Sequence, residues 1–250
     1  MPPLAAFAIQ LIAGSILTIA YTGMTGRAAD DVSYQLSALA VMSSGVVFAF
    51  WYRFETVGEI RGDQKQVFCL ITIVKFALLA LGCQLFVSGV LSLLTDYFPK
   101  AFEQYGATIG SILSGSPIMV MIVTIIIAPI TEELIFRGVT LHFANRHIPF
   151  YLANFLQAAL FGVYHGNLVQ GVYAGVLGLI LGFIYQKFGT IYAPILLHML
   201  VNASAFFVML LPKTKGSYGI IVIIGFLLMI LAYPRTNSKK SLLDESPRYR

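Results

Sequence analysis

Three charged residues interrupt a strongly apolar run in the middle of this 250-residue chain. Glu132, Glu133 and Arg137 lie within residues 118–139, where an unpaired charge held in lipid costs about 2.5 kcal/mol or more. Glu133 and Arg137 are four residues apart, so they face each other across one helical turn and can form an ion pair. Glu132 lies about 100° round the helix from Glu133 and has no local cation. We therefore predict that Glu132 is available as a general base.

Two further pairs place histidine and asparagine inside apolar runs. His165 follows Phe161 by four residues in F-G-V-Y-H, and His198 precedes Asn202 by four in H-M-L-V-N, so each pair shares one helical face. At about 1.5 Å per residue from their span ends, four polar residues fall near the middle of a ~30 Å hydrocarbon core: Glu132, His165, His198 and Asn202, at about 15, 23, 12 and 18 Å. Polar groups at that depth face the bundle interior, so we expect these side chains to meet.

A carboxylate, two imidazoles and an amide in a cavity with little water could hydrolyse an amide bond. Glu132 with His165 would activate a water molecule, while His198 and Asn202 would donate hydrogen bonds to the oxyanion of the tetrahedral intermediate. Glu132, His165 and His198 could alternatively hold a zinc ion, since many zinc hydrolases use two imidazoles and a carboxylate. No H-E-x-x-H pattern and no third firm ligand is evident, so we favour a reaction without a cofactor. His142 and His147 are interpreted as solvent-facing loop residues.

The composition predicts a helical membrane protein. The chain is 58% hydrophobic and only 11% charged, with a mean hydropathy of +0.83. Its apolar runs have the length of transmembrane helices and lack the alternation of a membrane β-barrel. We predict an all-α polytopic transmembrane bundle of about eight spans, with segment 96–115 at the membrane interface. The predicted spans are residues 4–22, 35–52, 67–94, 116–141, 150–164, 168–186, 190–211 and 217–233.

The distribution of basic residues predicts the orientation of these spans. With both termini cytoplasmic, ten basic residues lie on the cytoplasmic side: Arg53, Arg61, Lys65, Arg146, Lys187, Arg235, Lys239, Lys240, Arg248 and Arg250. Four lie on the opposite side: Arg27, Lys100, Lys213 and Lys215. An excess of Lys and Arg marks cytoplasmic loops, so we predict that both termini are cytoplasmic.

The chain is predicted to form one integral membrane domain, residues 1–234, followed by a basic polar cytoplasmic tail, residues 235–250. Because five basic residues lie in that tail, the net charge of +5 indicates contact with anionic membrane lipid and not nucleic acid. Cys69 and Cys83 would lie about 21 Å apart on one helix, too far for a disulfide. Four glycines in span six share one face and predict close helix packing: Gly171, Gly175, Gly178 and Gly182.

The three polar patterns resemble the ordered motifs EExxxR, FxxxH and HxxxN of the CAAX protease and bacteriocin-processing family (CPBP, also called Abi) of intramembrane endopeptidases. That family includes the type II CAAX prenyl protease. The resemblance covers a motif-bearing core of about residues 116–207, and every motif position matches in order. It implies that Glu132 is the catalytic base and His165 its partner, that His198 and Asn202 are oxyanion donors, and that Glu133 and Arg137 position the site.

The resemblance also implies a substrate and a place of action. We expect hydrolysis of a peptide bond in a membrane-associated peptide or protein, either a prenylated CAAX-type protein or a processed peptide. We further expect a multi-pass protein of a bacterial-type plasma membrane, with the site entered from the cytoplasmic side or laterally from lipid. The alternative is a non-proteolytic membrane scaffold, a bacteriocin-immunity factor or a transporter that uses the same buried polar cluster.

Overall fold

The predicted all-α fold class is confirmed. The computed structural model describes residues 1–29, 32–58, 62–210 and 214–233, and these contain helices and no strand. The helices are α1 (Pro2–Thr25), α2 (Ser33–Glu55), α3 (Gln64–Val67), α4 (Leu70–Leu94), α5 (Pro99–Leu113), α6 (Pro117–Asn145), α7 (Phe150–Tyr164), α8 (Leu168–Phe188), α9 (Tyr192–Met209) and α10 (Tyr218–Ala232). Each predicted span coincides with one long or apolar helix of this series.

Six helices are long and apolar enough to cross a membrane by length and composition: α1, α2, α4, α6, α8 and α9. The two shorter apolar helices, α7 and α10, have 15 residues each. The chain is thus an integral multi-pass membrane protein, and the crossing number of eight and the cytoplasmic position of both termini stay predictions. The predicted basic tail, residues 235–250, lies outside the described residues.

One end of the bundle, called the tail end here, is where α2, α6, α8 and α10 finish. Arg146 Nη1 lies 2.8 Å from Oε2 of Glu55, which joins the turn after α6 to the end of α2. The ammonium of Lys187 lies 4.6 Å from the centroid of the Tyr233 ring, which joins the ends of α8 and α10. The other end, called the far end, is where α2, α6 and α8 begin and where α4 and α9 finish.

The segment predicted to lie at the interface forms helix α5 at the far end. No residue of α5 is buried, although the helix packs against the start of α8. The ring of Tyr105 contacts the ring of Tyr173 edge-on, with their centroids 6.2 Å apart. This helix therefore lies on the bundle and forms no part of its core.

The glycine seam of α8 packs closely against α7, as predicted. A Cβ atom on Gly171 would lie 2.8 Å from the carbonyl oxygen of Gly162, and one on Gly178 would lie 3.1 Å from Ala158. Any side chain at Gly171 would force the two backbones apart, and one at Gly178 would crowd Ala158. The close packing brings the carbonyl oxygen of Gly178 into the protein interior, where it accepts hydrogen bonds described below.

The two cysteines are unpaired, as their spacing predicts. Cys69 is half-buried just before α4, and Cys83 is buried within that helix. Neither thiol forms a disulfide, so no covalent cross-link ties this helix to its neighbours.

Candidate active site

Helix α6 contains two stretches of π-helix that flank the pair of glutamates. Val123–Ile127 and Leu134–Leu141 are π-helical, whereas Ala128–Glu133 between them is α-helical. Such wider turns are rare in proteins and occur frequently at functional sites. Between them, the side chain of Glu132 reaches a cavity, while that of Glu133 is fully buried.

Pro129 explains how Asn202 of α9 comes to bind α6. In a helix, the carbonyl of Thr124 would accept from the N–H group of Ala128 or of residue 129. The N–H group of Ala128 donates to the carbonyl of Val123 instead, and Pro129 has no N–H group, so neither donor is available. A buried carbonyl requires a partner. The Nδ2 atom of Asn202 supplies one, at 2.8 Å from the oxygen of Thr124.

The ion pair predicted from the EExxxR spacing is present and completely buried. Arg137 Nη1 lies 2.8 Å from Oε1 of Glu133, and neither side chain is exposed. Arg137 Nη2 donates to the carbonyl oxygen of Gly178 at 3.0 Å. The guanidinium carbon also lies 4.7 Å from the centroid of the Phe161 ring. Contacts from α6, α7 and α8 therefore fix the position of this arginine.

His198 forms a hydrogen bond that the sequence did not indicate. Its Nδ1 atom lies 2.7 Å from Oε1 of Glu133, the oxygen that also accepts from Arg137. Its Nε2 atom lies 3.8 Å from Oε2 of Glu132. With Nδ1 donating to the buried carboxylate, Nε2 is the atom of this imidazole that remains for chemistry in the cavity.

His165 lies directly after α7 and is half-buried. Its Nδ1 atom lies 2.8 Å from the carbonyl oxygen of Phe161. A carbonyl oxygen can only accept, so Nδ1 carries the proton and Nε2 of the neutral ring has a free lone pair. This tautomer is the one that a general base needs.

The structure brings all four predicted catalytic residues to one cavity of about 680 Å³. This volume lies within the range of small-molecule and peptide sites. Glu132, His165, His198 and Asn202 line the cavity from α6, the end of α7, and α9. Glu133 and Arg137 do not line it, because they lie behind His198 in the protein interior.

The cavity extends from the middle of the bundle to the far end. Tyr34, Thr95, Tyr105, Gln170 and Met209 line it at that end. Within the described residues, the tail-end loops 62–69, 142–149 and 189–191 contribute nothing to its wall. The membrane side that the far end faces stays a prediction, as does the expected entry from the cytoplasmic side or laterally from lipid.

Sequence reasoning missed a polar stripe on α4. Gln84, Ser88 and Ser92 are spaced by four residues, and all three line the cavity between its floor and its mouth. That spacing within an otherwise apolar span is the signal that could have identified them.

Sequence reasoning also missed the central position of Phe161, which it assigned only to the same face as His165. The centroid of its ring lies 4.8 Å from that of His165 and 5.9 Å from that of His198, both edge-on. With the Arg137 guanidinium over its face, this ring separates and orients the three nitrogen-bearing side chains.

The zinc alternative requires Glu132, His165 and His198 to converge on one point. Within the described part of the chain, no three His, Cys, Asp or Glu side chains form a group that could hold a metal ion as they stand. In addition, Nδ1 of His198 is bonded to Glu133, which leaves only its Nε2 atom for a metal. The chelation experiment in the Discussion tests whether peptide cleavage depends on a metal ion.

Comparison with known proteins agrees with the family resemblance that the three motifs indicated. Residues 114–204 match the family model described as Rce1-like, type II CAAX prenyl endopeptidase. A stretch of 91 residues is 29% identical to the Bacillus subtilis (strain 168) protein named "Putative membrane peptidase YdiL", and covers 36% of this chain and 37% of that relative. No solved structure matches the chain. All three motifs, from Glu132 to Asn202, lie within the residues 114–204 that match this family model.

Proposed function

We propose that this chain is an intramembrane endopeptidase that hydrolyses a peptide bond in a membrane-associated substrate. One observation carries the proposal: a carboxylate, two imidazoles and an amide from three helices line the same cavity within the bundle. The family match of residues 114–204 supports the same activity. Its location is proposed to be a bacterial-type plasma membrane.

In the proposed reaction, Glu132 and Nε2 of His165 polarise a water molecule in the cavity. Glu132 takes a proton from that water as the oxygen attacks the carbonyl carbon of the scissile peptide bond. Collapse of the tetrahedral intermediate breaks the C–N bond, and Glu132 returns the proton to the departing amine. The products are a carboxylic acid and an amine, which become a carboxylate and an ammonium ion by proton transfer, and the reaction as proposed needs no metal.

His198 and Asn202 are proposed to stabilise the oxyanion of the intermediate. Since Nδ1 of His198 donates to Glu133, its Nε2 atom can donate only when the ring is an imidazolium. The proposal therefore requires His198 to be an imidazolium when the oxyanion forms.

Asn202 has a donor left for this role. Its amide nitrogen carries two hydrogens, of which one is used by the carbonyl of Thr124 at 2.8 Å. The second N–H group belongs to a side chain that lines the cavity and is held in place by the first bond. Donors fixed before the reaction stabilise a developing oxyanion most effectively.

The test is cleavage of membrane-anchored peptides by the full-length protein in liposomes. Glu132→Gln should abolish turnover, whereas Glu55→Gln, the same change in a carboxylate at the tail end, should leave turnover unchanged. Full activity of the Glu132→Gln protein would overturn the proposal. Peptides with and without a prenylated CAAX terminus, assayed side by side, distinguish the two substrate classes that the family suggests.

The same variants distinguish the alternative functions. A transporter would show substrate uptake that is sensitive to Glu132→Gln and would cleave none of the peptides. For a scaffold or a bacteriocin-immunity factor, Glu132→Ala should preserve the cellular phenotype. No contact in the site specifically favours these alternatives.

A further inference from the structure

We infer that Lys75 and Lys187 form a binding site for the phosphate group of an anionic membrane lipid at the tail end of the bundle. The predicted spans contain four charged residues, and three of them, Glu132, Glu133 and Arg137, belong to the candidate active site. Lys75 of α4 is the fourth, and neither the buried ion pair nor the proposed reaction uses it. Its surroundings indicate a different task.

Lys75 lies on a side of α4 that faces lipid. Ile71 and Leu78, which precede it by four residues and follow it by three, share its helical face and are 66% and 41% exposed. Apolar side chains exposed on a membrane span contact the acyl chains of lipids. Phe76 and Leu79, on the other side of the helix, are buried in the core. The half-buried Lys75 therefore lies at the border between lipid and protein.

A contact between α4 and α8 fixes the level of Lys75 along the bundle. The ring of Phe76 contacts the ring of Phe188 edge-on, with their centroids 5.4 Å apart. Phe188 is the last residue of α8, so Lys75 lies about level with the last turn of that helix. Lysine side chains near the end of a span extend to the membrane interface, where the headgroups and water solvate their charge. Lys75 is thus within reach of the lipid headgroups.

Lys187 brings a second ammonium group to the same place. It directly precedes Phe188, as Lys75 directly precedes Phe76, and the two lysine charges are close enough to repel each other. The ammonium of Lys187 lies 4.6 Å from the centroid of the Tyr233 ring, just after α10. Tyrosine is enriched where a membrane meets water, so this ring marks the level of the headgroups.

The protein supplies no anion for Lys75 within the described part of the chain, where no carboxylate pairs with it. The acidic residue nearest to it in sequence is Asp63, whose Oδ1 atom accepts from the N–H group of Lys65 and caps α3. Two like charges held close together favour an anion between them. Basic pockets between transmembrane helices bind the headgroups of anionic lipids, which are the anions present at this level.

The apolar surroundings favour a lipid over a free phosphate ion. The acyl chains of a lipid whose phosphate lies between Lys75 and Lys187 can pack against the exposed side chains of Ile71 and Leu78. A free phosphate ion has no apolar part and gains nothing from these side chains. The site as inferred therefore recognises both the charge and the chains of its ligand.

The test is lipid binding by the full-length protein in a non-ionic detergent, measured by native mass spectrometry. Phosphatidylglycerol is the anionic probe, phosphatidylcholine is the zwitterionic comparison, and inorganic phosphate is the free-ion competitor. Lys75→Gln and Lys187→Gln each remove one positive charge from the site. Lys100→Gln removes the same charge from the exposed start of α5 at the far end and is the matched control.

We expect Lys75→Gln and Lys187→Gln each to weaken the binding of phosphatidylglycerol about fivefold, and the double variant about 25-fold, which is the usual effect of one and of two basic residues beside an anionic headgroup. Lys100→Gln should bind this lipid as the wild-type protein does. Lys75→Arg, which keeps the charge, should also bind it. Thermal unfolding without added lipid shows that each variant is folded.

Three results overturn the inference. The first is wild-type affinity in both Lys→Gln variants, or an equal loss in Lys75→Arg and Lys75→Gln. The second is equal affinity of the wild-type protein for phosphatidylglycerol and phosphatidylcholine, because the lysine charges would then not select the ligand. The third is displacement of phosphatidylglycerol by an equal concentration of inorganic phosphate, which would make free phosphate the ligand. Peptide cleavage is not measured, so the outcome does not depend on the proposed function.

Discussion

The Nδ1 atom of His198 lies 2.7 Å from Oε1 of Glu133, and Nη1 of Arg137 lies 2.8 Å from the same oxygen. A single carboxylate oxygen thus joins α9 to α6 at the depth of Glu132. The Nε2 atom of His198 points to Glu132, 3.8 Å from its Oε2 atom. The two adjacent glutamates therefore have different tasks: one holds the site together, and the other faces the cavity.

The first prediction separates these tasks. Glu133→Gln leaves Arg137 buried without its counter-charge, and removing one partner of a buried pair costs about 3–5 kcal/mol. We expect a large fall in the thermal unfolding temperature of the Glu133→Gln protein in detergent. Glu132→Gln should unfold within a few degrees of wild type yet cleave no peptide. Equal unfolding temperatures for the two variants would contradict this division of tasks between Glu133 and Glu132.

The second prediction uses an internal control for His165. Nδ1 of His147 lies 2.9 Å from the carbonyl oxygen of Phe143, which repeats the local hydrogen bond between His165 and Phe161. Unlike His165, His147 is exposed and does not line the cavity. His165→Ala should lower kcat by about 10²-fold to 10⁴-fold, the usual contribution of acid–base assistance, because Glu132 loses its partner in polarising the water. His147→Ala should leave kcat unchanged. Similar losses in the two variants would show that the effect is structural.

The third prediction concerns Asn202, which binds a backbone carbonyl and is also proposed to act on the oxyanion. Asn154 is the matched control, since its Nδ2 atom donates to the carbonyl of Leu179 at 3.1 Å and it does not line the cavity. Both Asn202→Ala and Asn154→Ala lose an interhelical hydrogen bond, worth about 1 kcal/mol. Asn154→Ala also removes the acceptor of the Gln157 Nε2 hydrogen bond, so it should destabilise the protein at least as much as Asn202→Ala.

Only Asn202→Ala should in addition lower kcat, by about 10²-fold to 10³-fold, as expected for an oxyanion donor. Stability from thermal unfolding and kcat at saturating peptide are measured on the same preparations. A kcat that falls only in proportion to the loss of folded protein would leave Asn202 with a structural role alone.

The fourth prediction addresses the metal. Prolonged treatment of the purified protein with a strong zinc chelator, followed by removal of the chelator, should leave peptide cleavage intact. Loss of activity that added zinc restores would replace the water-activation scheme with a metal centre formed by Glu132, His165 and His198. Metal analysis of the protein before and after treatment provides the independent measurement.

The sequence predicted the relationships that lie within one helix. The apolar runs located the helices to within a few residues, because length and hydropathy alone decide whether a segment suits a bilayer. The four-residue spacing of Glu133 and Arg137 predicted their ion pair, because helix periodicity places such residues on one face. The glycines of α8 likewise predicted a close helix contact.

Relationships between helices were decided only by the tertiary structure. The pattern F-x-x-x-H occurs twice, at Phe143–His147 and at Phe161–His165, and both copies form the same local hydrogen bond. Helix packing alone places the second histidine in the cavity and the first outside it. Packing likewise ties His198 to Glu133 and turns the stripe of α4 inward.

The physical reason is the nature of the membrane interior. Lipid and a protein core are about equally apolar, so hydropathy does not show which face of a span meets its neighbours. The sequence by itself placed Glu132, His198 and Asn202 within apolar spans and His165 at the end of one, and it predicted the chemistry of a hydrolase. Their convergence on one cavity and the side from which it opens follow from the three-dimensional packing, which no spacing along the chain encodes.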